Sequence, residues 1–210
     1  MTIKIKLLDS ISSIEKNIKS ATAEYMNDIV QKSQNGIIND IKSLIPSWIR
    51  SQPEIQSLLS SDPYSLVGVF GITKSSATIV DSIIAAVLGS ISFKFIKFND
   101  SLKGGFTVNI QPITFSNLLQ LPDGYTNYSG GSLHWMDWLL LRGDETIIAN
   151  YQYNPKTGIG RSNLGNMVTG GSFRVPPQFS GTAENNFITR ALTGQPQIDQ
   201  INKIFISYLK

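Results

Sequence analysis

The spacing of apolar residues changes near residue 91, and this change restricts the possible folds more than any other feature of the chain. Before it, apolar residues recur at steps of three and four, as on one face of an α-helix. After it, apolar and polar residues alternate over short runs, as in β-strands. Helices followed by strands favour an α+β fold with a small, mostly antiparallel sheet over a repeated βαβ fold. We therefore predict a helical part over residues 1–90 and a β-rich part with a closing helix over 91–210, together forming one compact unit.

The first fifty residues predict one long helix, or two in series, between Leu8 and Ile49. Gly36 and Pro46 are the places where this helix would kink or split, because glycine and proline both disfavour a helix interior. Next, Ser51–Glu54 have the sequence SQPE, the spacing of a capping box with Ser51 as the N-cap. A short helix is predicted to follow this capping box, through Leu58 and Leu59.

Three later segments also have helical spacing. One begins at Ser75 or Ser76 and ends near Gly89. Another, SLHWMDWLLLRG, is predicted to be capped by Ser132 and stopped by Gly143, with two tryptophans as anchors. The C-terminal helix is expected to place four apolar residues on one face: Ile198, Ile201, Phe205 and Tyr208.

The strands are predicted from alternation and turn residues. ISFKFIKF and FTVNIQPI predict a hairpin around NDSLKGG, and the change of parity after Phe95 indicates a β-bulge or a strand buried on both faces. TIIANYQY predicts another strand, and a glycine-rich loop surrounds a short one at Met167–Thr169. Ordering so many glycines and asparagines costs roughly 1–2 kcal/mol of backbone entropy per residue. We therefore expect a neighbouring subunit to order Gly158–Gly171.

Composition excludes several kinds of site. The chain has no cysteine, which rules out disulfides, thiolate zinc sites and thiol nucleophiles. Its net charge of +3 is spread evenly along the sequence, so no basic surface for phosphates is predicted. Charged residues make up 16% of the chain, against about 25% in ordinary soluble domains. This low charge suits a surface covered by neighbours, although an AT-rich genome also favours lysine and asparagine.

Nothing in the sequence predicts a membrane location. The N-terminal segment lacks the apolar core and cleavage site of a signal peptide. The longest apolar run, IIAAVLG, is much shorter than the roughly 20 residues that cross a bilayer. We expect synthesis in a cytoplasm and no membrane partner.

Candidate catalytic residues do not form a recognisable set. His134 is the only histidine, and Ser132 and Asp137 are too close to it in sequence to converge as a catalytic triad. Glu184 is the one candidate general acid in a distinctive segment, but the start of a helix also explains an acidic residue there. The paired glycines match neither phosphate-binding pattern. We predict no catalytic residue, metal site or cofactor.

The most distinctive segment is Gly170–Leu192, GGSFRVPPQFSGTAENNFITRAL, which we call the arm. Its two prolines hold the backbone extended, and Thr182 or the next polar residues are predicted to start a helix. Arginines and aromatic residues concentrate binding energy at interfaces, so the arm is interpreted as a docking surface. An internal strap packed on its own sheet is the alternative. The predicted interface residues are Trp135, Trp138, Phe173, Arg174, Pro176, Pro177, Phe179, Asn185, Asn186 and Arg190.

The segments SQPEIQSLLS, HWMDWLLLRGD and the arm, in this layout, resemble virion proteins of tailed bacteriophages. More narrowly, the chain is similar to tail-completion and neck proteins. The resemblance implies a structural protein without catalysis. Such a protein would form a homo-oligomeric ring of six subunits, or a multiple of six, joining tail tube to head connector.

The resemblance also implies other neck or tail proteins as partners, with DNA only as cargo in the channel and the virion as the location. It leaves the neck, the tail terminator and the baseplate open as positions. The mild basicity of the chain departs from the acidic lumen expected of a protein lining the DNA path. The alternative function is a baseplate or other tail component that binds carbohydrate or degrades cell walls, with Glu184 as acid and Tyr or Trp rings as sugar platforms.

Overall fold

The computed structural model describes residues 9–208. It confirms a mixed fold with a long N-terminal helix and a C-terminal helix. The helices are α1 (Ile11–Arg50), α2 (Pro53–Leu59), α3 (Leu66–Phe70), α4 (Ser76–Gly89), α5 (Ser116–Leu119), α6 (Trp135–Leu140), α7 (Phe187–Thr193) and α8 (Gln195–Tyr208). The strands are β1 (Ser92–Ile96), β2 (Gly105–Asn109), β3 (Thr126–Tyr128), β4 (Gly131–Leu133), β5 (Ile148–Asn154) and β6 (Asn166–Phe173). Within 9–208 they form three separate antiparallel pairs, β1 with β2, β3 with β4 and β5 with β6, instead of one sheet.

The chain divides into two compact units. The first consists of the chain up to Ile41, Ser92–Val108 and the chain from Ile201 onward. The second consists of Lys42–Ile91 and Asn109–Gln200. Each unit thus combines segments from both sides of residue 90, where the sequence separates helical from β-rich character.

Helix α1 is a single helix, with Pro46 inside it. Buried Ile45 and Ile49 on either side of the proline hold that turn in the core of the second unit. Gly36 has a packing role in the first unit: a Cβ there would lie 2.7 Å from the hydroxyl of Tyr208. The glycine therefore admits the tyrosine ring, whose hydroxyl donates a hydrogen bond to Asp40 at 2.8 Å.

The β1–β2 hairpin belongs to the first unit. Phe106 stacks on both Phe93 and Phe205, which packs the hairpin against the end of α8. The side-chain amide of Asn27 bonds both the N–H and the C=O of Phe98, so α1 secures the chain just beyond β1. The change of parity after Phe95 marks the end of β1. The strand is not buried on both faces, because Ile96 is 52% exposed.

Helices α2 to α7 enclose the core of the second unit. Its fully buried large side chains include Ile45, Ile49, Ile55, Leu58, Leu66, Phe70, Ile79, Ile83, Trp135 and Phe187. The predicted start of α4 is confirmed, with Ser75 as the N-cap.

Two predicted caps in this unit are wrong. Helix α2 has Gln52 as its N-cap and Pro53 at its first position, while the hydroxyl of Ser51 donates to the carbonyl of Trp48. Helix α6 has His134 at its N-cap, because Ser132 is paired with Asn127 in the β3–β4 ladder. In both cases the serine has a partner in the preceding segment and is not available to cap.

The β5–β6 hairpin is longer than the sequence predicts. Strand β6 covers Asn166–Phe173, so residues 166–169 of the glycine-rich segment are paired with β5 of their own chain. The register shifts between Ala149 and Tyr151, where Asn150 has φ of +63°. Gly170 and Gly171 lie opposite at positive φ, which glycine adopts without steric cost. The alternation of apolar and polar residues is interrupted at this bulge. The sequence therefore indicated only three residues of strand.

Candidate functional site

The arm packs on α6 at Gly181. The amide of Gly143 donates to the carbonyl of Gly181 at 2.8 Å, and the amide of Gly181 approaches the carbonyl of Trp138 at 3.4 Å. A Cβ on Gly181 would overlap the carbonyl oxygen of Leu139. Only glycine therefore allows this close approach of two backbones.

An ion pair joins the arm to α2. The guanidinium of Arg190 bonds the carboxylate of Glu54, whose side chain is fully buried, and also donates to the Asn185 side chain at 2.9 Å. Arg190 was predicted to face a partner, but here it neutralises a buried carboxylate of its own chain. Glu54, predicted only as part of a capping box, is the buried member of the pair.

Asn186 is another predicted interface residue that lies inside the fold. It is fully buried and caps α7, because its side-chain oxygen accepts from the amides of Ile188 and Thr189 at 3.0 and 2.9 Å. Its amide group donates to the carbonyls of Leu140 and Thr182 at 3.3 and 2.8 Å. The helix therefore starts at Phe187 and not at Thr182, and Glu184 is an exposed residue before it and not part of its first turn.

The other predicted interface residues divide between core and surface. Trp135 and Phe173 are buried, with Trp135 stacked on Phe70 at a ring separation of 5.9 Å. Trp138, Pro176 and Phe179 are half-buried, while Arg174, Pro177 and Asn185 are exposed. Arg174 donates to the Thr146 hydroxyl at 3.1 Å. The buried positions agree with the alternative interpretation of the arm as an internal strap. The exposed residues are accessible to a partner.

A cleft lies in the second unit, with Phe173 of the arm in its lining. Its volume is about 610 Å³, and α3, β4, α6, the β5–β6 hairpin and the loop at residues 160–165 contribute to its walls. The sequence did not predict it, because its lining comes from several separate segments that no local pattern connects.

Two arginines line the cleft, each against an aromatic ring. Arg142 lies 5.3 Å from the centre of the Trp138 ring and forms an ion pair with Asp137. Arg161 lies 5.8 Å from the centre of the Tyr128 ring and donates to the backbone carbonyl of Asn127. The ring contact and the hydrogen bond restrain each guanidinium and leave other N–H groups for a ligand.

His134 lines the same cleft without forming a triad. Its ring stacks on Tyr125 at 4.0 Å, and its buried Nε2 has no hydrogen-bond partner within residues 9–208. Burial lowers the pKa of His134, with the Asp137 carboxylate acting in the opposite direction. Asp137 forms its ion pair with Arg142, so the Ser132, His134 and Asp137 group does not form a nucleophile–base relay.

A consequence is that acid destabilises the fold through His134. Because the folded pKa lies below the ordinary value of 6.5, the unfolded chain binds the proton more readily. This stability is fully present above about pH 6.5 and is lost as the pH falls from there towards the folded pKa. Urea unfolding at about pH 7.5 and about pH 5.5 should show a smaller pH effect in His134→Phe, which keeps a ring against Tyr125, than in the unsubstituted protein. Equal pH effects would contradict this role.

Other site classes have no counterpart in the described part of the chain. Residues 9–208 contain no group of three or more histidine or acidic side chains placed to hold a metal ion. None of the helices described there is long and apolar enough to span a membrane. Glu184 is not among the residues that line the cleft.

Comparisons of the chain with protein-family models, with curated proteins and with solved structures found no match.

Proposed function

We propose that this chain is a non-enzymatic structural subunit at the neck or tail end of a tailed bacteriophage. Identical copies would form a ring of six, or a multiple of six, that joins the tail tube to the head connector. Its partners would be further copies of itself and other neck or tail proteins, with DNA passing through the channel.

The observation that carries the proposal is the convergence of three segments. SQPEIQSLLS, HWMDWLLLRGD and the arm are the stretches that resemble neck and tail-completion proteins, and they lie far apart in the sequence. In the second unit the ion pair from Arg190 to Glu54 and the hydrogen bond from Asn186 to Leu140 bring them together. Three resembling segments that pack into one structural element support an architecture shared with neck and tail-completion proteins better than three segments that do not touch would.

The exposed part of the arm is the surface assigned to the partner. Arg174 and Pro177 are exposed there beside half-buried Phe179, and arginine and aromatic residues dominate the energy of interfaces. The buried residues Phe173 and Val175 alternate with this exposed side and attach the arm to its own unit. A rigidly attached segment loses little conformational entropy on docking.

The double variant Arg174→Ala with Phe179→Ala tests this surface. We expect assembly into particles to fail, because loss of a hot-spot residue costs about 2 kcal/mol or more and a ring repeats the loss at each contact. The melting temperature should fall only slightly, since neither side chain is fully buried. The control variant, Tyr64→Ala with Lys156→Ala, removes an exposed ring and an exposed cation outside the arm and should assemble normally.

Reconstitution of particles that lack the protein, with melting curves on the same samples, gives both readouts. Normal assembly by the arm variant would remove the docking surface from the account. A melting temperature lowered by many degrees would show that the whole arm is an internal strap.

A second candidate is a baseplate or other tail component that binds carbohydrate or degrades cell walls. The cleft favours sugar binding, because the rings of Tyr128, Trp138 and Tyr153 line it. Clearing of peptidoglycan in a zymogram, lost in Glu184→Gln, would favour this candidate over the structural one. Glu184 lies outside the cleft lining, so we expect no clearing.

A further inference from the structure

We infer that the cleft of the second unit binds a small organic anion, a carboxylate or a phosphate ester carried on a flat apolar body. The inference concerns a ligand site and does not depend on a role in a phage particle. The volume of about 610 Å³ lies within the usual range of small-molecule sites, roughly 300–1,000 Å³.

Arg161 supplies the positive charge that would bind this anionic ligand. The charged residues that line the cleft are Arg142, Arg161 and Asp137. Asp137 is paired with Arg142, and Glu145 also acts electrostatically on Arg142. Arg161, in contrast, has no carboxylate partner within residues 9–208 and bonds only a neutral carbonyl. Arg161 is therefore the cation that an anionic ligand in the cleft would neutralise.

The guanidinium of Arg161 is positioned for a ligand before one arrives. Its Nη1 is held by the carbonyl of Asn127 and its plane lies near the Tyr128 ring, while Nε and Nη2 have no acceptor in the described chain. A Cβ on Gly71 would lie only 3.1 Å from Nη2, so a side chain at this position would crowd that nitrogen. Nε and Nη2, which lie on one edge of the guanidinium, match the two oxygens of a carboxylate or phosphate.

The next residue adds a polar group that lacks a partner. The hydroxyl of Ser162 is buried and makes no hydrogen bond within the described chain, and Ser162 lines the cleft. Buried polar groups in folded proteins nearly always have a partner, so an unsatisfied hydroxyl in a cleft indicates a ligand or a water there. Arg161 and Ser162 are consecutive and both line the cleft, so the inferred site assigns this hydrogen bond to the oxyanion that Arg161 holds.

The remaining walls suit a flat apolar body. Aromatic and aliphatic side chains line the cleft together with the polar groups, among them Phe70, Trp138, Met167 and Phe173. An inorganic ion would leave these walls unused, and an uncharged ring would leave Arg161 without a counterion.

Four probes test the inference on the full chain by calorimetric titration: phenyl phosphate, phenylacetate, benzyl alcohol and inorganic phosphate. We expect phenyl phosphate or phenylacetate to bind at least tenfold more tightly than benzyl alcohol or inorganic phosphate. Which of the two binds identifies phosphate or carboxylate as the preferred group. Arg161→Gln should weaken that binding at least tenfold, and Ser162→Ala several-fold.

The matched control is Arg50→Gln, which also removes one positive charge but lies in an exposed pair with Asp81. Its affinity should stay within about twofold of the unsubstituted protein, because exposed charges outside the site act only weakly through water. Equal weakening in Arg50→Gln and Arg161→Gln would overturn the inference, as would failure of both organic anions to bind. Tighter binding of a neutral N-acetylglucosamine oligomer than of either anion would overturn it in favour of a sugar site. If Arg161→Gln does not fold, Ser162→Ala decides, and unchanged affinity in that variant would count against the site.

Discussion

Replacing Arg190 with methionine is expected to lower the free energy of unfolding by about 3 kcal/mol, because the carboxylate of Glu54 then stays buried without its ion pair. Breaking a buried pair typically costs 3–5 kcal/mol, and the lower value applies because the Arg190 side chain is 37% exposed. Methionine keeps most of the side-chain volume, so the loss reports on charge more than on packing. Urea unfolding monitored by circular dichroism measures the change.

Two further variants identify the cause. Arg50→Met breaks the exposed pair with Asp81 and should cost less than about 1 kcal/mol. Adding Glu54→Gln to Arg190→Met removes the buried charge and should restore most of the lost stability, since a neutral amide costs less to bury than an unpaired carboxylate. An Arg190→Met protein as stable as Arg50→Met would show that this pair does not connect the arm to α2.

The second large effect is expected at Gly181. Gly181→Ala should destabilise the protein by about 3 kcal/mol, because the new methyl group would overlap the carbonyl of Leu139 and separate the arm from α6. The backbone hydrogen bond from Gly143 to Gly181 would be lost with that movement. Thermal and urea unfolding of the purified variant give the magnitude.

The control is Gly89→Ala. A Cβ on Gly89 at the end of α4 meets no atom within 4 Å, so alanine there should be neutral or stabilising by up to about 1 kcal/mol. If Gly181→Ala proves as well tolerated as Gly89→Ala, the arm does not pack closely on α6.

Most of the helical framework could be predicted from the sequence. Helices α1, α4 and α8 were predicted because each is long enough to show the helical period several times. The predicted caps at Ser51 and Ser132 were wrong, because the capping pattern does not reveal that each serine is already bonded to residues before the helix. The extent of β6 was missed because its glycines and its bulge interrupt alternation.

The candidate site was predicted only in part. The arm and the HWMD segment were recognised as distinctive because prolines, glycines and aromatic residues cluster there. Their mutual contact could not be predicted, since the ion pair joins residues 54 and 190 and nothing in either segment specifies the other. The cleft was missed for the same reason: Arg161 and Tyr128 meet only after several segments have folded.

The native mass of the purified full chain decides whether the protein assembles into a ring. Native mass spectrometry over a range of protein concentrations, with negative-stain electron microscopy of the same samples, should show closed rings of six copies or a multiple of six. Such rings should be lost in the Arg174→Ala with Phe179→Ala variant and kept in its Tyr64→Ala with Lys156→Ala control. If the protein stays monomeric at every concentration and reconstituted particles contain no ring of it, the proposed ring is wrong.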